Sequence, residues 1–364
     1  MRKLSAFILT IVLLSSCQLS RFIFYNFADI KDHKKFPSRA VKAPENKFKF
    51  HISNLKRMPD SLTVNGKRKA FDDCLEDNKT VAFLVIRNDS ILYENYFKGY
   101  DQTSIVPSFS MAKSITSILI GCAIDEGLIQ SIKEPITNYI PELKDNGMEN
   151  MTIESVLQMT TGIEFNESYF NPFGHAAAFY YGRNLRKKID KLKLARQPET
   201  KFEYVSGNTQ LLGLILERAL KNKTITDYFN EKLWQPLGME YDASWSIDKK
   251  KDGLEKTFCC VNARARDFAK IGRLYLNEGN WNGQQIVSSD WVKNSTKVDT
   301  ANASKWFYQY QWWLPTKNGD FMAEGILGQF IYVNPSKNLI IVRLGKNYGN
   351  LPWGDFFPKL AERL

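Results

Sequence analysis

Ser110 and Lys113 are the two residues of this sequence whose types and spacing point most directly to chemistry. They stand three apart in the stretch SFSMAKSITSILIG, residues 108–121. Because residues three apart share one face of a helix, the lysine amine can lie against the serine hydroxyl. A free serine hydroxyl is scarcely ionised at neutral pH, so a nucleophilic serine needs a base beside it. The pair therefore suggests a serine nucleophile with its activating amine.

The Ser-x-x-Lys spacing is not specific by itself, and the sequence contains it three times: Ser53/Lys56, Ser110/Lys113 and Ser246/Lys249. Only Ser110 opens a predicted helix, where free backbone N–H groups and the positive helix end favour a developing oxyanion. The first pair lies in a charged lead-in, and the third runs into a lysine triplet typical of a solvated surface. Helix capping is nevertheless the simpler explanation of a serine at this position.

Two further motifs follow Ser110 along the sequence. KFEYVSGNTQLLG, residues 201–213, places Tyr204 just before a predicted helix, with Ser206 and Asn208 after it. AEGILGQFIYV, residues 323–333, is a glycine-rich approach to a strand at Gly328-Gln329. Each motif is weak alone, but three in this order on suitable elements carry more weight.

The elements that must position these motifs occur in the order strands, helices, strands. Residues 80–99 alternate as two β-rich runs around Asn88-Asp89, which predicts a hairpin. A long helix is expected from Ser110 to Gly127. Residues 329–345 read as a strand, an Asn-Pro turn and a second strand. Between them the pattern is mostly helical, so we expect a helical block inserted into a sheet domain.

These patterns divide the chain into four predicted parts. They are a signal peptide (1–16), a basic and loosely ordered lead-in (17–70), an α/β sheet domain (71–134 and 251–364) and a mainly helical subdomain (135–250).

The three motifs, in this order, resemble those of the serine hydrolases related to class C β-lactamases, most closely the branch of 6-aminohexanoate-dimer hydrolases and esterases. The likeness covers roughly residues 80–364 and includes NARARDFAKIGRLYLNEGNWNGQQIV, residues 262–287. It implies an α/β (α+β) fold of the β-lactamase/transpeptidase type. In that fold an antiparallel sheet is flanked by helices and carries an inserted, mainly helical subdomain.

The resemblance implies an acyl-enzyme mechanism without a cofactor. Ser110 would be the nucleophile and Lys113 its activator. Tyr204, as a phenolate or through a shared proton, would be the general base and then the acid toward the leaving group. The lysine charge is expected to lower the tyrosine pKa, and burial to lower the pKa of the lysine. The backbone N–H groups of Ser110 and Gln329 would form the oxyanion hole.

The resemblance also suggests substrate contacts at Tyr169, Asn262, Ile326 and Gly328. Penicillin-binding enzymes usually carry Lys-Thr-Gly where this sequence has Ile326-Leu327-Gly328, and they carry an asparagine where Ser206 stands. The substitution removes a charge-assisted contact to a substrate carboxylate. We therefore expect a small ester or amide substrate rather than a β-lactam or a D-Ala-D-Ala peptide.

Other functions are open to the same sequence. A Ser-His-Asp triad would need a Gly-x-Ser-x-Gly elbow followed by a histidine, but only His175 follows Ser110 and no elbow precedes it. A cell-wall D,D-peptidase or penicillin-binding protein is an alternative, as is a non-catalytic binding protein on the same fold.

The N-terminus resembles an export signal. Arg2 and Lys3 precede an apolar run, Leu4–Leu14, that is too short to span a bilayer as a helix. The run ends in Leu-Ser-Ser-Cys17, which resembles the lipobox of bacterial lipoproteins, although an ordinary secretory signal would look similar. We expect lipidation at Cys17 and a cell-envelope lipoprotein anchored to the membrane through its lipid.

The remaining composition argues against metal and nucleic acid. The formal charge is +11, but no nucleic-acid-binding signature accompanies it. The chain has only three histidines and five cysteines, without zinc-ligand spacing. Cys122 lies in an apolar helical run and is expected to be a buried thiol. Adjacent Cys259 and Cys260 could pair only in a strained ring, so no bond is assigned to them.

Overall fold

The computed structural model describes residues 27–54, 58–64, 66–169, 171 and 173–364. Its strands are β1 (Ser38–Val41), β2 (His51–Ile52), β3 (Ser61–Val64), β4 (Lys67–Ala70), β5 (Thr80–Arg87), β6 (Ser90–Tyr96), β7 (Val106–Pro107), β8 (Ala243–Ser246), β9 (Val261–Ala263), β10 (Asn280–Trp281), β11 (Gln284–Gln285), β12 (Tyr308–Gln309), β13 (Trp312–Trp313), β14 (Phe321–Gly325), β15 (Gln329–Asn334) and β16 (Leu339–Gly345).

The large sheet has eight strands in the order β12-β13-β14-β15-β16-β5-β6-β2. Neighbouring strands are antiparallel except for β2 and β6, which run parallel. The central strands β5 and β16 read TVAFLVIR and LIIVRLG. Such continuous apolar runs are typical of strands buried on both faces. Hydrophobic clusters cover both faces of this sheet, as the pattern requires.

The predicted hairpin joins β5 to β6. Asn88 and Asp89 both have positive φ, 49° and 56°. Two successive residues of this kind form the tight turn that matches the twist of paired strands, and asparagine and aspartate tolerate it well. The hairpin prediction is confirmed.

Helices pack on both faces of the large sheet. They are α1 (Phe71–Asp77), α2 (Met111–Asp125), α3 (Ile153–Leu157), α4 (His175–Tyr181), α5 (Leu185–Ile189), α6 (Ser206–Leu220), α7 (Ile225–Phe229), α8 (Ala265–Leu276), α9 (Ser289–Thr296) and α10 (Trp353–Arg363). Helix α8 approaches β15 and β16 closely at Gly272, where an added Cβ would lie 2.9 Å from Ile331 and Ile340. Phe71 of α1 and Phe357 of α10 pack on the other face.

Helix α2 runs through the centre of the protein. Every residue from Met111 to Ala123 is buried, so the helix has no solvent-facing polar stripe. It lies between β14 and helix α6 of the helical region. The helix was expected to reach Gly127; it ends at Asp125, and Gly127 follows with φ 70°. This central position places the start of α2 where the sheet domain meets the helices.

The described part of the lead-in is more ordered than the sequence suggested. Strand β1 pairs with β8 in a second sheet of order β1-β8-β9-β7, and β3 pairs with β4 as a hairpin. The expectation of loose order was therefore wrong for these residues. The partner of β1 lies about 200 residues later, so the local pattern of the lead-in could not reveal the pairing.

The fold class predicted from the sequence is confirmed. A mainly antiparallel sheet is flanked by helices, and helices α3–α7 occupy the stretch between β7 and β8. The exact boundaries of the four predicted parts stay predictions.

The cysteines correct one expectation and confirm another. A disulfide joins Cys259 and Cys260, although no bond was assigned to these neighbours. The backbone accommodates the ring with Cys260 at φ 74°, a conformation that sequence reasoning did not consider. Cys122 is a free, buried thiol as predicted, and Cys74 is also free and buried.

Candidate active site

Ser110 stands at the sharp turn between strand β7 and helix α2. Phe109 before it has φ 44°, in the left-handed region that residues other than glycine seldom adopt. Ser110 is the N-cap of α2, yet its hydroxyl accepts no capping hydrogen bond from the helix. Because capping does not occupy Oγ, the simpler explanation that the sequence left open does not hold.

Both sheets hold the backbone around Ser110. In the small sheet, Ser108 N donates to Val261 O at 2.7 Å, and Val261 N donates to Ser108 Oγ at 3.1 Å. In the large sheet, the end of β14 abuts the nucleophile: a Cβ on Gly325 would lie 2.5 Å from Ser108 O and 3.1 Å from Ser110 N. Only glycine permits this approach, which brings the β14–β15 turn beside Ser110.

Lys113 lies next to Ser110 and is 1% exposed. Its Nζ is 3.0 Å from Ser110 Oγ, 3.1 Å from Ser206 Oγ and 2.9 Å from the carbonyl oxygen of Phe258. None of these partners is charged. Burial lowers the pKa of Lys113 to about 8, against a smaller opposing effect of Glu167. The predicted lowering of the lysine pKa is confirmed.

The three partners of Lys113 suit a neutral amine. A neutral amine has two N–H donors and one lone pair. The Phe258 carbonyl can only accept, and Ser206 Oγ is free to accept because its own hydrogen goes to Glu167. Ser110 can then donate its hydroxyl hydrogen to the lone pair. The arrangement therefore allows Lys113 to take a proton from Ser110.

Glu167 is a member of this cluster that sequence reasoning missed. It accepts hydrogen bonds from Ser206 N at 2.7 Å and from Ser206 Oγ at 2.5 Å. Burial raises the pKa of Glu167, and the nearby charge of Lys113 lowers it. Glu167 lies two positions before Tyr169 in FNESYFNP, a loop in which only Tyr169 was predicted to contribute to the site. Ser206, which binds Glu167, lies 39 residues further along the chain, so the local sequence does not indicate the contact.

Tyr204 lies beside the pair and corrects one expectation. Its pKa is raised well above the usual value by burial, and a hydrogen bond with Ser110 opposes the shift. The expected lowering of the Tyr204 pKa was wrong, because burial raises this pKa even though Lys113 Nζ lies 5.1 Å from the ring centre. The tyrosine is therefore a neutral phenol in the resting protein rather than a phenolate. A neutral phenol can donate a proton.

The turn from β14 to β15 contains the predicted oxyanion and substrate residues. Leu327 and Gly328 have φ 64° and 81°, and Gly328 N donates to Gly325 O at 3.2 Å. The side chain of Gln329 points to Gly345, donating to its carbonyl at 2.7 Å and accepting from its N–H at 3.1 Å. Because its side chain is bound to Gly345, Gln329 can offer an oxyanion only its backbone N–H. Its role in an oxyanion hole stays a prediction.

The predicted substrate residues differ in their surroundings. Tyr169 joins the cluster, with its hydroxyl 3.4 Å from Ser206 Oγ. Ile326 is partly buried in the turn beside Ser110. Asn262 is 1% exposed in β9. Its amide nitrogen donates within the small sheet, to two serine hydroxyls of β8 at 3.0 and 3.2 Å, rather than to the Ser110 cluster. Substrate binding by these residues stays a prediction.

Ser246 and His175, the alternative nucleophile and base, make contacts away from the Ser110 cluster. Ser246 accepts a hydrogen bond from the amide of Asn262. The ring of His175 stacks on Phe165 at 5.2 Å, and its Nδ1 accepts from Asn166 N at 3.0 Å. These contacts assign His175 to local packing, consistent with the rejection of a histidine triad.

Across the described residues, no group of three or more His, Cys, Asp or Glu side chains could hold a metal ion. The same residues contain no helix long and apolar enough to cross a membrane. Cys17 and the predicted signal lie outside the described residues.

The chain is similar to known proteins over most of its length. The Beta-lactamase family model matches residues 68–350. A 6-aminohexanoate-dimer hydrolase of Paenarthrobacter ureafaciens is 28% identical over 291 residues, covering 74% of this chain and 73% of the relative. The solved structure named "Putative 6-aminohexanoate-dimer hydrolase from Bacillus anthracis" superimposes with a TM-score of 0.80 at 25% identity and covers 94% of each chain.

A more distant structure shares the fold alone. A family VIII carboxylesterase has a TM-score of 0.62 at 16% identity and covers 80% of this chain and 95% of that one. The family model matches well over half of the sequence, and its match encloses Ser110, Lys113 and Tyr204. The chain belongs to the beta-lactamase family and is a serine hydrolase.

Proposed function

We propose that this protein hydrolyses an ester or amide bond of a small substrate through an acyl-enzyme formed on Ser110. The observation that carries the proposal is the 3.0 Å contact between Lys113 Nζ and Ser110 Oγ. The amine is buried among neutral partners, and its pKa of about 8 leaves a useful neutral fraction at physiological pH. A base with such a pKa can both accept and return a proton.

In the acylation step, the Ser110 hydroxyl proton passes to the neutral amine of Lys113 as Oγ bonds to the substrate carbonyl carbon. The carbonyl electron pair moves to its oxygen, which becomes the oxyanion of a tetrahedral intermediate. We assign the stabilisation of this oxyanion to the backbone N–H groups of Ser110 and Gln329. Donors of this kind are typically worth ~3 kcal/mol each in the transition state.

Tyr204 completes the step as the acid. Its neutral phenol donates a proton to the leaving oxygen or nitrogen as the bond to the carbonyl carbon breaks. The ammonium of Lys113 returns a proton to the phenolate, so both groups regain their resting states. Water then attacks the acyl-enzyme, giving its proton to Lys113, and the intermediate collapses as Lys113 protonates Ser110 Oγ.

The turn at Ile326-Leu327-Gly328 supports a neutral group next to the scissile bond. It offers no cation and no hydroxyl to a substrate carboxylate at that point. The name of the Paenarthrobacter relative supports linear amides as one class to test. We therefore propose esters and linear amides as substrates, ahead of β-lactams and D-Ala-D-Ala peptides.

The N-terminal sequence supports a place in the cell envelope. The apolar run that ends in Leu-Ser-Ser-Cys17 is the basis for proposing a lipoprotein. A lipid-anchored hydrolase would act on substrates outside the cytoplasm. Globomycin, which blocks lipoprotein signal cleavage, tests this part: an unprocessed precursor is expected, and unchanged processing would contradict it.

Hydrolysis of p-nitrophenyl esters and p-nitroanilides by matched serine variants tests the proposed activity. Ser110→Ala is expected to abolish turnover, because it removes the attacking oxygen. Ser246→Ala, which alters another serine of Ser-x-x-Lys spacing, is expected to keep wild-type rates. Retained activity in folded Ser110→Ala would overturn the assignment of the nucleophile.

A further inference from the structure

Arg343 is a buried cation in strand β16 for which the proposed mechanism has no use. It is 0% exposed and is the only charged residue of LIIVRLG. Burying a charge is costly unless it is well hydrogen-bonded. Among the described residues, no carboxylate lies within ion-pair distance of its guanidinium, and burial lowers its pKa to about 9. Burying this guanidinium without a carboxylate partner lowers the stability of the fold, so a functional reason for its position is worth seeking.

The guanidinium hydrogen-bonds to four oxygen atoms, all uncharged. Nη1 donates to the Gly328 carbonyl at 2.5 Å, and Nε donates to Thr80 Oγ1 at 3.1 Å. Nη2 donates to the carbonyl oxygens of Asn78 at 2.6 Å and Asn347 at 2.9 Å. The Gly328 carbonyl is the one that belongs to the turn beside Ser110.

The sequence makes room for this side chain at two glycines. A Cβ on Gly328 would lie 1.8 Å from Arg343 Nη1, and a Cβ on Gly345 would lie 2.4 Å from it. The ring of Trp353 covers the guanidinium at 4.0 Å. A glycine in the β14–β15 turn, a glycine at the end of β16 and the ring of Trp353 therefore leave room for the guanidinium against the Gly328 peptide.

We infer that Arg343 is the positioning residue of the oxyanion hole. A trans peptide group is planar, so its C=O and N–H point in opposite directions, and no cis peptide bond is described in this chain. The carbonyl of Gly328 and the N–H of Gln329 belong to one peptide group. By holding the carbonyl, Arg343 aims the N–H away from itself and toward the side of the turn that lies against Ser110.

The charge of Arg343 also strengthens the donor. A cation at the carbonyl end polarises the peptide group, which makes its N–H a better hydrogen-bond donor in a region of low dielectric. The turn needs such a hold because Leu327 and Gly328 both have positive φ, 64° and 81°. The inference rests on the proposed function, since an oxyanion hole matters only if Ser110 attacks a carbonyl.

A purely structural role predicts a different result from the same contacts. Arg343 could serve only to join the segment at Asn78 and Thr80 to the segment at Asn347. In that case, removing any one of these hydrogen bonds would lower activity to a similar extent. Thr80→Val removes one anchor and leaves the bond to Gly328 in place, so it is the matched control for Arg343→Met. Arg343→Lys keeps a cation without the planar fork and serves if the methionine variant does not fold.

The test compares hydrolysis of an oxygen ester and of the matching thionoester by the wild type and these variants. Sulfur accepts hydrogen bonds weakly, so the ratio of the two rates reports on the oxyanion donors. Arg343→Met is expected to lower kcat for the ester roughly 10- to 100-fold, with KM within about twofold. Its ester-to-thionoester ratio is expected to fall by about the same factor, while Thr80→Val stays within about twofold of wild type.

Three results would overturn the inference in folded variants: an unchanged kcat, an unchanged ester-to-thionoester ratio, or an equal effect of Thr80→Val. A crystal structure of Arg343→Met adds a readout without turnover, and a Gly328–Gln329 peptide in its wild-type orientation would also overturn the inference. Failure of the proposed function is distinguishable, because the wild type itself would then neither hydrolyse the ester nor react at Ser110.

Discussion

Lys113 in helix α2 and Lys270 in helix α8 are both buried, but their partners differ. They are 1% and 0% exposed. Lys113 contacts only neutral oxygens, including the hydroxyl of Ser110. Lys270 lies 3.3 Å from Asp267 Oδ1 and 3.6 Å from Glu240 Oε1. It also donates to a backbone carbonyl, that of Gly238, at 2.8 Å.

The difference separates a lysine that transfers protons from one that holds structure. Burial lowers the pKa of both groups, but two adjoining carboxylates oppose the shift at Lys270. The nearest opposing charge for Lys113 is Glu167, and the hydroxyl of Ser206 stands between them. Removing a buried cation from a direct ion pair leaves an uncompensated carboxylate beside the gap, whereas the groups in direct contact with Lys113 are all neutral.

Among the variants that test this comparison, Lys113→Met is expected to lose the most activity. The variant lacks the amine that accepts the proton of Ser110, so we expect kcat/KM for a p-nitrophenyl ester to fall roughly 10³-fold. Lys270→Met is the matched control, because it removes an equally buried amine away from the cluster. Steady-state kinetics of both variants decide the comparison, and similar losses in the two would contradict it.

Tyr204→Phe is expected to have the next largest effect, and its size should depend on the leaving group. An amine must be protonated as it leaves, whereas p-nitrophenolate needs little help. We expect kcat/KM to fall roughly 10²-fold or more for an anilide and less for the ester. Rates on the two substrates measure the ratio. Equal losses would show that Tyr204 is not the acid.

The two lysine variants should rank in the opposite order for stability: Lys270→Met should lose more stability than Lys113→Met. Lys270→Met is expected to lower the free energy of unfolding by about 3–5 kcal/mol, because Asp267 stays buried without its cation. Lys113→Met is expected to lose no stability at pH 7, since it removes a cation that burial destabilises. Urea denaturation of the two variants measures both values. Greater destabilisation by Lys113→Met would mean that its hydrogen bonds outweigh the cost of burial.

The smallest effect concerns the pH dependence of activity. The neutral amine is the active form, so kcat/KM should rise with pH through the Lys113 pKa of about 8. Glu167 raises that pKa, so Glu167→Gln should move the rise to lower pH. A pH profile of each protein measures the shift. A move to higher pH would contradict the role given to Glu167.

The lowered pKa of Lys113 should also make the free energy of unfolding depend on pH. In the unfolded chain Lys113 titrates near its usual value of 10.5, and in the folded protein near 8. Between these values the unfolded chain holds more protons, so this group makes the folded protein more stable as pH rises. The stability of the wild type relative to Lys113→Met should therefore increase over that range.

Local patterns were enough to predict the parts of the site that depend on neighbouring residues. Ser110 and Lys113 meet because they are three apart at the start of a helix, and the hairpin at Asn88-Asp89 follows from residues that tolerate positive φ. The sequence also indicates the glycine-rich turn before Gln329. The structure shows why glycines are needed there: Gly325 abuts Ser110, and Gly328 leaves room for Arg343.

Long-range contacts and burial account for the rest. Glu167 belongs to the site because a loop brings it to Ser206, and nothing in its local sequence indicates that contact. The pKa of Tyr204 depends on how deeply it is buried, which the sequence does not specify. The bond between Cys259 and Cys260 requires a backbone conformation that local propensity does not predict.

Intact-mass spectrometry after treatment with a fluorophosphonate, followed by peptide mapping, shows whether Ser110 is an activated nucleophile. We expect a single adduct on Ser110 in the wild type, slower labelling of Lys113→Met and no labelling of Ser110→Ala. An absent adduct in the folded wild-type protein, or an adduct on a different serine, would contradict the claim that Ser110 is a nucleophile activated by Lys113.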